Sequence, residues 1–297
     1  MLLNRQKALL NYISISGEIK SKTLLVKAFF LLCEEELKPR GCPLYDFFPY
    51  KYGPYSFSLM KLDIQKLINE GIISDLPYRI IDKKRADEII GGLDGAMSSA
   101  LEMIHNRYGK MSVAKIKDYV YARYPYFAIH NENNPKAYLP YDPANSSLFQ
   151  EARIFTIGYE GRSLDAFLNT LIANNIKALV DIRNNPVSMK YGFTGRSLKH
   201  YVEETGIKYI SIPELGIESR HKKNLDNQED YINLFKTYES EILPQRNDKM
   251  VLLKNLIMQE KRIALMCFEK DARMCHRGIA SRYLQNYCGY KYGLSHL

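Results

Sequence analysis

The segment at residues 266–277 brings thiols, a carboxylate, an imidazole and a guanidinium together in one short stretch. It follows an apolar run that is typical of a strand, and it precedes a helical apolar pattern that begins at Ile279. We therefore expect these side chains between the carboxyl end of a strand and the amino end of a helix. Open α/β sheets bind ligands at that edge, because loops and helix N-termini converge there. The side chains are Cys267, Glu269, Cys275, His276 and Arg277.

The thiols and the imidazole indicate two chemistries, metal binding and thiol catalysis. Zinc accepts a set such as Cys267, Cys275 and His276. Two features disfavour it. The cysteines are eight positions apart, unlike the short CxxC pair of structural zinc sites, and adjacent Cys275 and His276 diverge if both lie on a helix. A cysteine at a helix N-terminus beside Arg277 has a lowered pKa and is a capable nucleophile. The sequence thus predicts no required cofactor, with zinc, magnesium and covalent thiol catalysis as minor alternatives.

Other segments of the second half repeat the order of an apolar strand followed by polar residues. Predicted strands at 153–157, 177–183, 208–212 and 262–267 alternate with amphipathic helices. This alternation predicts a Rossmann-like α/β domain with a mainly parallel sheet over residues 151–297. The first three strands add further candidate site residues at their carboxyl ends: Gly158, Tyr159, Glu160, Arg162, Ser163, Asp181, Arg183, Asn184 and Glu214.

These side chains suit hydrolysis at a sugar carbon of a nucleic acid. Releasing a base needs a carboxylate to stabilise an oxocarbenium-like state or to activate water, together with a proton donor for the departing base. Asp181 and His276 are assigned the acid–base or electrostatic roles, with Glu269 as the second carboxylate. The remaining candidates are carboxylates at Glu160 and Glu214, a donor at Asn184, phosphate ligands at Arg162, Arg183 and Arg277, and a base-stacking ring at Tyr159 or Phe193.

The first half has the order of a winged helix-turn-helix module. Apolar residues at helical spacing predict helices around residues 9–15, 24–32 and 59–68, the last of them ending at Gly71. A short β-wing is then expected at residues 72–81. The order resembles the winged-helix modules of prokaryotic regulators and defence proteins, which implies binding to double-stranded DNA. We predict this domain over residues 1–92, and a helical extension and linker over residues 93–150.

An aromatic segment at residues 45–56 precedes the third of these helices. It interleaves tyrosines with Lys, Gly and Pro, and Ser56 or Ser58 is suited to cap the helix. A helix N-terminus beside lysines suits a phosphate, provided that it is exposed. The alternative is an aromatic loop that packs on the domain core. The residues predicted to contact nucleic acid are Lys51, Tyr52, Tyr55, Ser56 and Lys61.

Five blocks of the second half resemble, in sequence and in order, the bacterial and archaeal domain-of-unknown-function 488 family. They are TIGYEGRSL at 156–164, VDIRNNP at 180–186, GF at 192–193, PELG at 213–216 and MCFEKDARMCHR at 266–277. The resemblance covers about residues 151–297 and implies the fold and the position of a site more than a reaction. The family's cluster positions correspond to Gly158, Arg162, Asp181, Arg183, Pro186, Glu214, Cys267, Glu269, Cys275, His276 and Arg277.

The overall composition and charge indicate which kinds of partner and compartment to expect. A formal charge of +9 and a pI of about 9.1 favour a polyanionic partner. No run of about 18 apolar residues occurs, so we expect no membrane span. Five cysteines, an odd number, suit a reducing cytoplasm. The predicted function is excision of a modified base from DNA, in defence against foreign DNA. A metal-dependent nuclease and a regulator with a nucleotide-sensing domain stay as alternatives, and the oligomeric state stays open.

Overall fold

A computed structural model of the protein describes residues 2–130, 151–218 and 228–297. The chain divides into two compact units, residues 1–142 and 143–297. The predicted linker lies outside the described residues, so the finer domain boundaries stay predictions. Among the helices in the described ranges, none combines the length and the apolar character that a membrane crossing requires.

The first unit is mostly helical. π-helical turns lie at Leu32–Leu37 and Ser58–Ile64, and short 3-10 turns lie at Lys38–Arg40 and Pro125–Ala128. The helices predicted around residues 9–15, 24–32 and 59–68 are confirmed, and helices also follow residue 93, whereas the helix at Lys83–Ile90 was not predicted. The helices are α1 (Asn4–Ser16), α2 (Lys22–Leu31), α3 (Gln65–Asn69), α4 (Lys83–Ile90), α5 (Gly95–Tyr108) and α6 (Val113–Arg123).

The aromatic segment at 45–56 contains an antiparallel hairpin rather than only a loop. Its strands are β1 (Phe48–Tyr50) and β2 (Gly53–Tyr55). Gly53 has a φ of 92°, and a Cβ there would lie 2.8 Å from Lys27 Nζ, so a glycine is required at this turn. Of the predicted wing at 72–81, the described part of the chain shows two isolated antiparallel bridges, Ile19 with Tyr78 and Ile73 with Ile80. The winged-helix assignment therefore stays a prediction.

The second unit is built on a parallel five-stranded sheet, as the strand and helix alternation predicted. Its strands are β3 (Arg153–Gly158), β4 (Ala178–Asp181), β5 (Lys208–Ser211), β6 (Arg262–Cys267) and β7 (Gly293–His296), in the order β5-β4-β6-β3-β7. The edge strand β7 was not predicted. Because β6 lies between β3 and β4, the carboxyl ends of three strands meet at the middle of one edge. Gly158 pairs with Cys267 there, and Asp181 pairs with Met266.

In the described part of this unit, five α-helices accompany the sheet. They are α7 (Leu164–Ala173), α8 (Gly195–Glu203), α9 (Gln228–Thr237), α10 (Asn247–Glu260) and α11 (His276–Tyr287). One apolar cluster joins Val180 and Leu265 of the strands to Ile257 of α10 and Leu284 of α11. Phe155 is buried as well, but it lies outside that cluster and alternates with Ile154 along β3, so it faces the other side of the sheet.

Candidate active site

The two cysteines and the histidine of the 266–277 segment converge at the end of β6. Cys275 directly precedes α11, and its backbone is extended, with φ −143° and ψ 138°. It therefore lies outside the helix. Its side chain does not diverge from that of His276, contrary to the expectation for two neighbours on one helix. His276 Nδ1 lies 3.7 Å from Cys267 Sγ and 4.0 Å from Cys275 Sγ. All three residues are buried, with exposures of 1% to 4%.

A backbone carbonyl fixes the orientation of the imidazole. His276 Nε2 lies 3.2 Å from the carbonyl oxygen of Ile182, which can only accept a hydrogen bond. Nε2 therefore carries a hydrogen, and Nδ1 faces the two thiols. The ring of Tyr238 meets the imidazole edge-on, at 5.7 Å between centroids. The imidazole is thus held in one orientation.

The loop between the two cysteines is held by residues for which the sequence predicted other roles. Arg277 donates hydrogen bonds to the carbonyl oxygens of Glu269 and Lys270. A Cβ at Gly158 would lie 1.9 Å from the Glu269 carbonyl oxygen, so only glycine lets the loop approach β3 so closely. Glu160 accepts a hydrogen bond from the backbone N–H of Lys270 at 2.8 Å. Gly158, Glu160 and Arg277 therefore shape the loop.

Glu269 completes the cluster. Its Oε2 lies 2.8 Å from Cys275 Sγ, and burial together with the Cys275 charge raises the pKa of this carboxyl. Burial opposes ionisation of Cys275, but hydrogen bonds from Cys267 and His276 outweigh burial and lower the pKa of its thiol. The hydrogen bond to Cys275, followed by burial, raises the pKa of Cys267. The three acidic groups thus compete for protons, and negative charge concentrates on Cys275. We refer to Cys267, Glu269, Cys275 and His276 as the thiol cluster.

Asp181 does not belong to this cluster. It is fully buried and accepts hydrogen bonds from Arg183 Nη2 at 2.6 Å and from the Tyr209 hydroxyl at 2.7 Å. Arg183 also donates through Nη1 to the Tyr159 hydroxyl and to the carbonyl oxygen of Phe193. Asp181 therefore anchors Arg183, and it lines neither of the two cavities that adjoin the thiol cluster.

A cavity of about 360 Å³ opens beside the thiol cluster. Cys267, Glu269 and His276 form one of its walls. The remaining wall combines polar and apolar side chains: Tyr159, Arg183, Asn184, Asn185, Val187, Ser188, Ile217 and Phe268. A smaller cavity of about 120 Å³ shares Ile217, Glu269 and His276 and adds an apolar lining of Tyr231, Leu234, Phe235 and Met274. The thiol cluster thus lies between two cavities, and Cys275 lines the smaller one.

Several predicted site residues are engaged elsewhere. Arg162 donates to the Thr170 hydroxyl at 3.1 Å, and Ser163 caps α7 by accepting from the N–H of Ala166. Glu214 forms an ion pair with Lys249 at 3.0 Å. None of Arg162, Ser163 and Glu214 lines either cavity described above. The predicted clamp of three arginines is therefore not assembled, and only Arg183 among them reaches the larger cavity.

The two rings predicted to stack on a base stack on each other instead. The centroids of Tyr159 and Phe193 are 4.3 Å apart, with an angle of 10° between the ring planes. Both residues are buried, so neither face of this pair is free for a base. Phe268, which is 46% exposed and lines the cavity, is the aromatic that sequence reasoning missed. Its place between Cys267 and Glu269 was the available signal. Ser188 was missed as well, whereas Asn185 belongs to the polar group predicted after the second strand.

The residues predicted to contact nucleic acid separate into two groups. Lys51 and Tyr52 are exposed at the turn between β1 and β2, and Lys61 is exposed as well. Ser56 is fully buried and accepts a hydrogen bond from the N–H of Leu59, so it caps the helix as predicted and offers no surface to a partner. Tyr55 is half-buried among the rings of Phe48, Tyr50 and Phe57. The packing alternative therefore holds for Ser56, and about half of the Tyr55 side chain is packed against neighbouring rings as well.

Residues 163–284 match the model of a protein family that is described as "Domain of unknown function DUF488". The matched range begins at the cap of α7 and ends within α11. It contains β4, β5, β6 and the thiol cluster. No curated protein and no solved structure gives a significant match to the chain. The resemblance seen in the second half is therefore supported, and the family's description supplies no reaction.

Proposed function

We propose that the second unit is a hydrolase that acts on a nucleobase-bearing substrate, with Glu269 as the group that transfers the proton. One observation carries this proposal. The buried thiol cluster forms a wall of the larger cavity, at the carboxyl ends of the central strands. A carboxylate, an imidazole and thiols around a concave site are the groups that an active site needs.

The lining of the cavity supports a planar polar substrate. Asn184, Asn185 and Ser188 offer both donors and acceptors, which can pair with the edge of a base. Phe268 offers an exposed aromatic ring on which a base can stack. The cavity volume of about 360 Å³ lies within the range of small-molecule sites, about 300–1,000 Å³. These features favour an extruded base with its sugar.

The proposed reaction is hydrolysis of the bond between base and sugar. A water molecule donates its proton to Glu269 while its oxygen bonds to the sugar carbon. The bond to the base breaks, and the base leaves with the electron pair and takes up the proton that Glu269 received. Asp181 is not assigned this role, because Arg183 and Tyr209 occupy its oxygens. Glu269, which lines the cavity, replaces it.

For the first unit we propose binding to duplex DNA through a winged-helix module. Lys51 and Tyr52 at the β1–β2 turn, together with Lys61, are exposed side chains of the types that contact phosphates and bases. The net charge of +9 is consistent with a polyanionic partner. Charge reversal at Lys51 and Lys61 is expected to weaken DNA binding uniformly across sequences, because phosphate contacts carry no sequence information.

Product analysis tests the proposed reaction. The purified protein is incubated with plasmid, cellular and base-modified phage DNA, and the products are read by mass spectrometry and after heat–alkali treatment. Free base together with alkali-labile sites supports base excision. A base that stays on its sugar but has an amino group replaced by oxygen would show that water attacks the base ring (deamination) and not the sugar carbon. Direct strand cuts identify a nuclease, and DNA that is bound but unchanged identifies a regulator.

A further inference from the structure

We infer that Cys267, Cys275 and His276 form a zinc site, open on the side of the larger cavity and adjacent to Glu269. The three ligand atoms, two Sγ and one Nδ1, all lie within 4.8 Å of one another. Cys267 and His276 also line the cavity, so a fourth position is available to water or substrate.

The distances between the ligand atoms fit a tetrahedral ion. Zinc lies about 2.3 Å from sulfur and about 2.0–2.1 Å from nitrogen, which places sulfur and nitrogen about 3.6 Å apart in a tetrahedron. His276 Nδ1 is 3.7 Å from Cys267 Sγ and 4.0 Å from Cys275 Sγ. Both nitrogen–sulfur distances are therefore within a few tenths of an ångström of the tetrahedral value. The two sulfurs lie within 4.8 Å of each other and would close to about 3.8 Å around the ion.

The surroundings of the imidazole are those of a metal ligand. A ligating histidine usually donates its other N–H to a carboxylate or a backbone carbonyl, which fixes the ring and the tautomer. His276 does so through Nε2, to Ile182. The extended backbone of Cys275 places its sulfur on the same side as Nδ1, although the two residues are adjacent. The sequence spacing that disfavours zinc on a continuous helix therefore does not apply.

Burial favours a cation that both cysteines can bind. Cys267 and Cys275 are 3% and 1% exposed, so a second thiolate beside the first would be costly without a positive charge between them. One Zn²⁺ neutralises the pair. A thiolate and imidazole set selects zinc over magnesium and calcium, which prefer oxygen ligands. This argues against the magnesium alternative for the thiol cluster.

A zinc ion here also sharpens the proposed hydrolysis, and this consequence rests on the proposed function. Zinc with an open position makes its bound water acidic and supplies a hydroxide near neutral pH. Two thiolates and an imidazole beside a non-ligating glutamate is also the set that zinc-dependent nucleobase deaminases use. Glu269 would take the proton of that water, and the hydroxide oxygen would attack the substrate carbon.

Metal analysis of the full-length protein tests the assignment, independently of activity. After purification without chelator, the wild type is expected to hold about one zinc per chain, and Cys275→Ser and Cys267→Ser less than about a tenth of that. Cys288→Ser is the matched control, since this thiol lies in the same unit beyond the end of α11. It should keep the full content. Glu269→Gln should also keep it, and loss of zinc from Glu269→Gln would overturn the assignment of three ligands with an open position.

Cobalt substitution covers the case in which a cysteine variant does not fold. The wild type is stripped with a chelator under reducing conditions and titrated with Co²⁺. Intense thiolate-to-cobalt absorption that saturates at one equivalent supports the site. A reduced, folded wild type that takes up neither Zn²⁺ nor Co²⁺ would overturn it and favour thiol chemistry at Cys275. A zinc-loaded protein that hydrolyses no nucleic acid would leave the zinc site standing and remove the proposed function, and a metal-free hydrolase would do the reverse.

Discussion

Asp181 and Arg183 form a buried ion pair at the carboxyl end of β4, with 2.6 Å between Asp181 Oδ2 and Arg183 Nη2. The side chains are 0% and 5% exposed. Arg183 continues to the Tyr159 hydroxyl and the Phe193 carbonyl, so this pair fixes one wall of the larger cavity. We therefore expect this pair to hold the cavity in shape rather than to take part in a reaction.

Breaking this pair should lower the stability of the fold, because Asp181 has a structural role and is not expected to be catalytic. Asp181→Asn leaves a buried guanidinium without its counter-charge, and we expect the free energy of unfolding to fall by about 3–5 kcal/mol. Asp248→Asn is the control, because Asp248 is exposed and its pair with Lys249 contributes little. Urea unfolding of both variants measures the difference. Asp181→Asn with wild-type stability and no activity would instead make Asp181 catalytic.

The hydroxyl of Tyr209 supports the same carboxylate. Tyr209→Phe removes a donor 2.7 Å from Asp181 Oδ2 and should lower the free energy of unfolding by about 1.5–3 kcal/mol, since the acceptor is charged. Tyr290→Phe, at a 68% exposed position, should change stability by less than about 0.5 kcal/mol. Denaturant midpoints compare the two. Equal midpoints would show that Tyr209 does not carry this hydrogen bond in solution.

Gly158 is expected to tolerate no side chain. Its added Cβ would meet the Glu269 carbonyl oxygen at 1.9 Å, so Gly158→Ala must displace the loop that carries the thiol cluster. We expect a loss of about 1–3 kcal/mol in stability and a fall in hydrolysis. Gly95→Ala, where a Cβ meets nothing within 4 Å, is the control and should be as stable as the wild type or slightly more stable. Melting temperatures and hydrolysis rates of the two variants test this expectation. A Gly158→Ala protein with wild-type stability and rate would mean that the loop lies farther from β3.

Lys27 should make stability depend on pH. Burial, followed by the charge of Lys117, lowers the pKa of Lys27 to about 7. The unfolded chain, with a lysine pKa of about 10.4, then binds more protons between about pH 7 and pH 10. Stability should therefore rise with pH across that window, by up to about 1.4 kcal/mol per pH unit, and be flat below it.

Paired unfolding measurements isolate the Lys27 contribution. Lys27→Met should remove the slope between about pH 7 and pH 8.5, while Lys20→Met, at an exposed lysine, should keep it. Titrations of other groups are common to the three proteins and cancel in the comparison. A slope that persists in Lys27→Met would assign the pH dependence to other groups.

Strand and helix periodicity were sufficient to predict the sheet and the edge where the site lies. The predicted strands at 153–157, 177–183, 208–212 and 262–267 correspond to β3, β4, β5 and β6. β7 was not predicted because Gly293–His296 is short, and polar residues make up half of it. Helix α8 was not predicted because only two of its residues, Leu198 and Val202, are buried. Local composition was too weak in both places.

Within the site, the sequence predicted which residues lie close together better than it predicted what each residue does. Asp181 and Arg183 are two positions apart on an extended chain, so they share a face, and this spacing could have indicated their pairing. The convergence of Cys275 and His276 depends on where α11 begins. A shift of one residue at a helix end changes the direction of a side chain, and sequence patterns do not determine helix ends that closely. The geometry of the thiol cluster therefore required the structure.

The most direct test of this account compares Glu269→Gln with Glu214→Gln in the same hydrolysis assay on base-modified DNA. Glu269 lines the cavity beside Cys275, whereas Glu214 is paired with Lys249 and lies outside that cavity. We expect Glu269→Gln to lower the rate by about 10²–10⁴-fold at unchanged DNA binding, and Glu214→Gln to stay close to the wild type. A Glu269→Gln protein that is as active as the wild type would contradict the assignment of the thiol cluster as the catalytic centre.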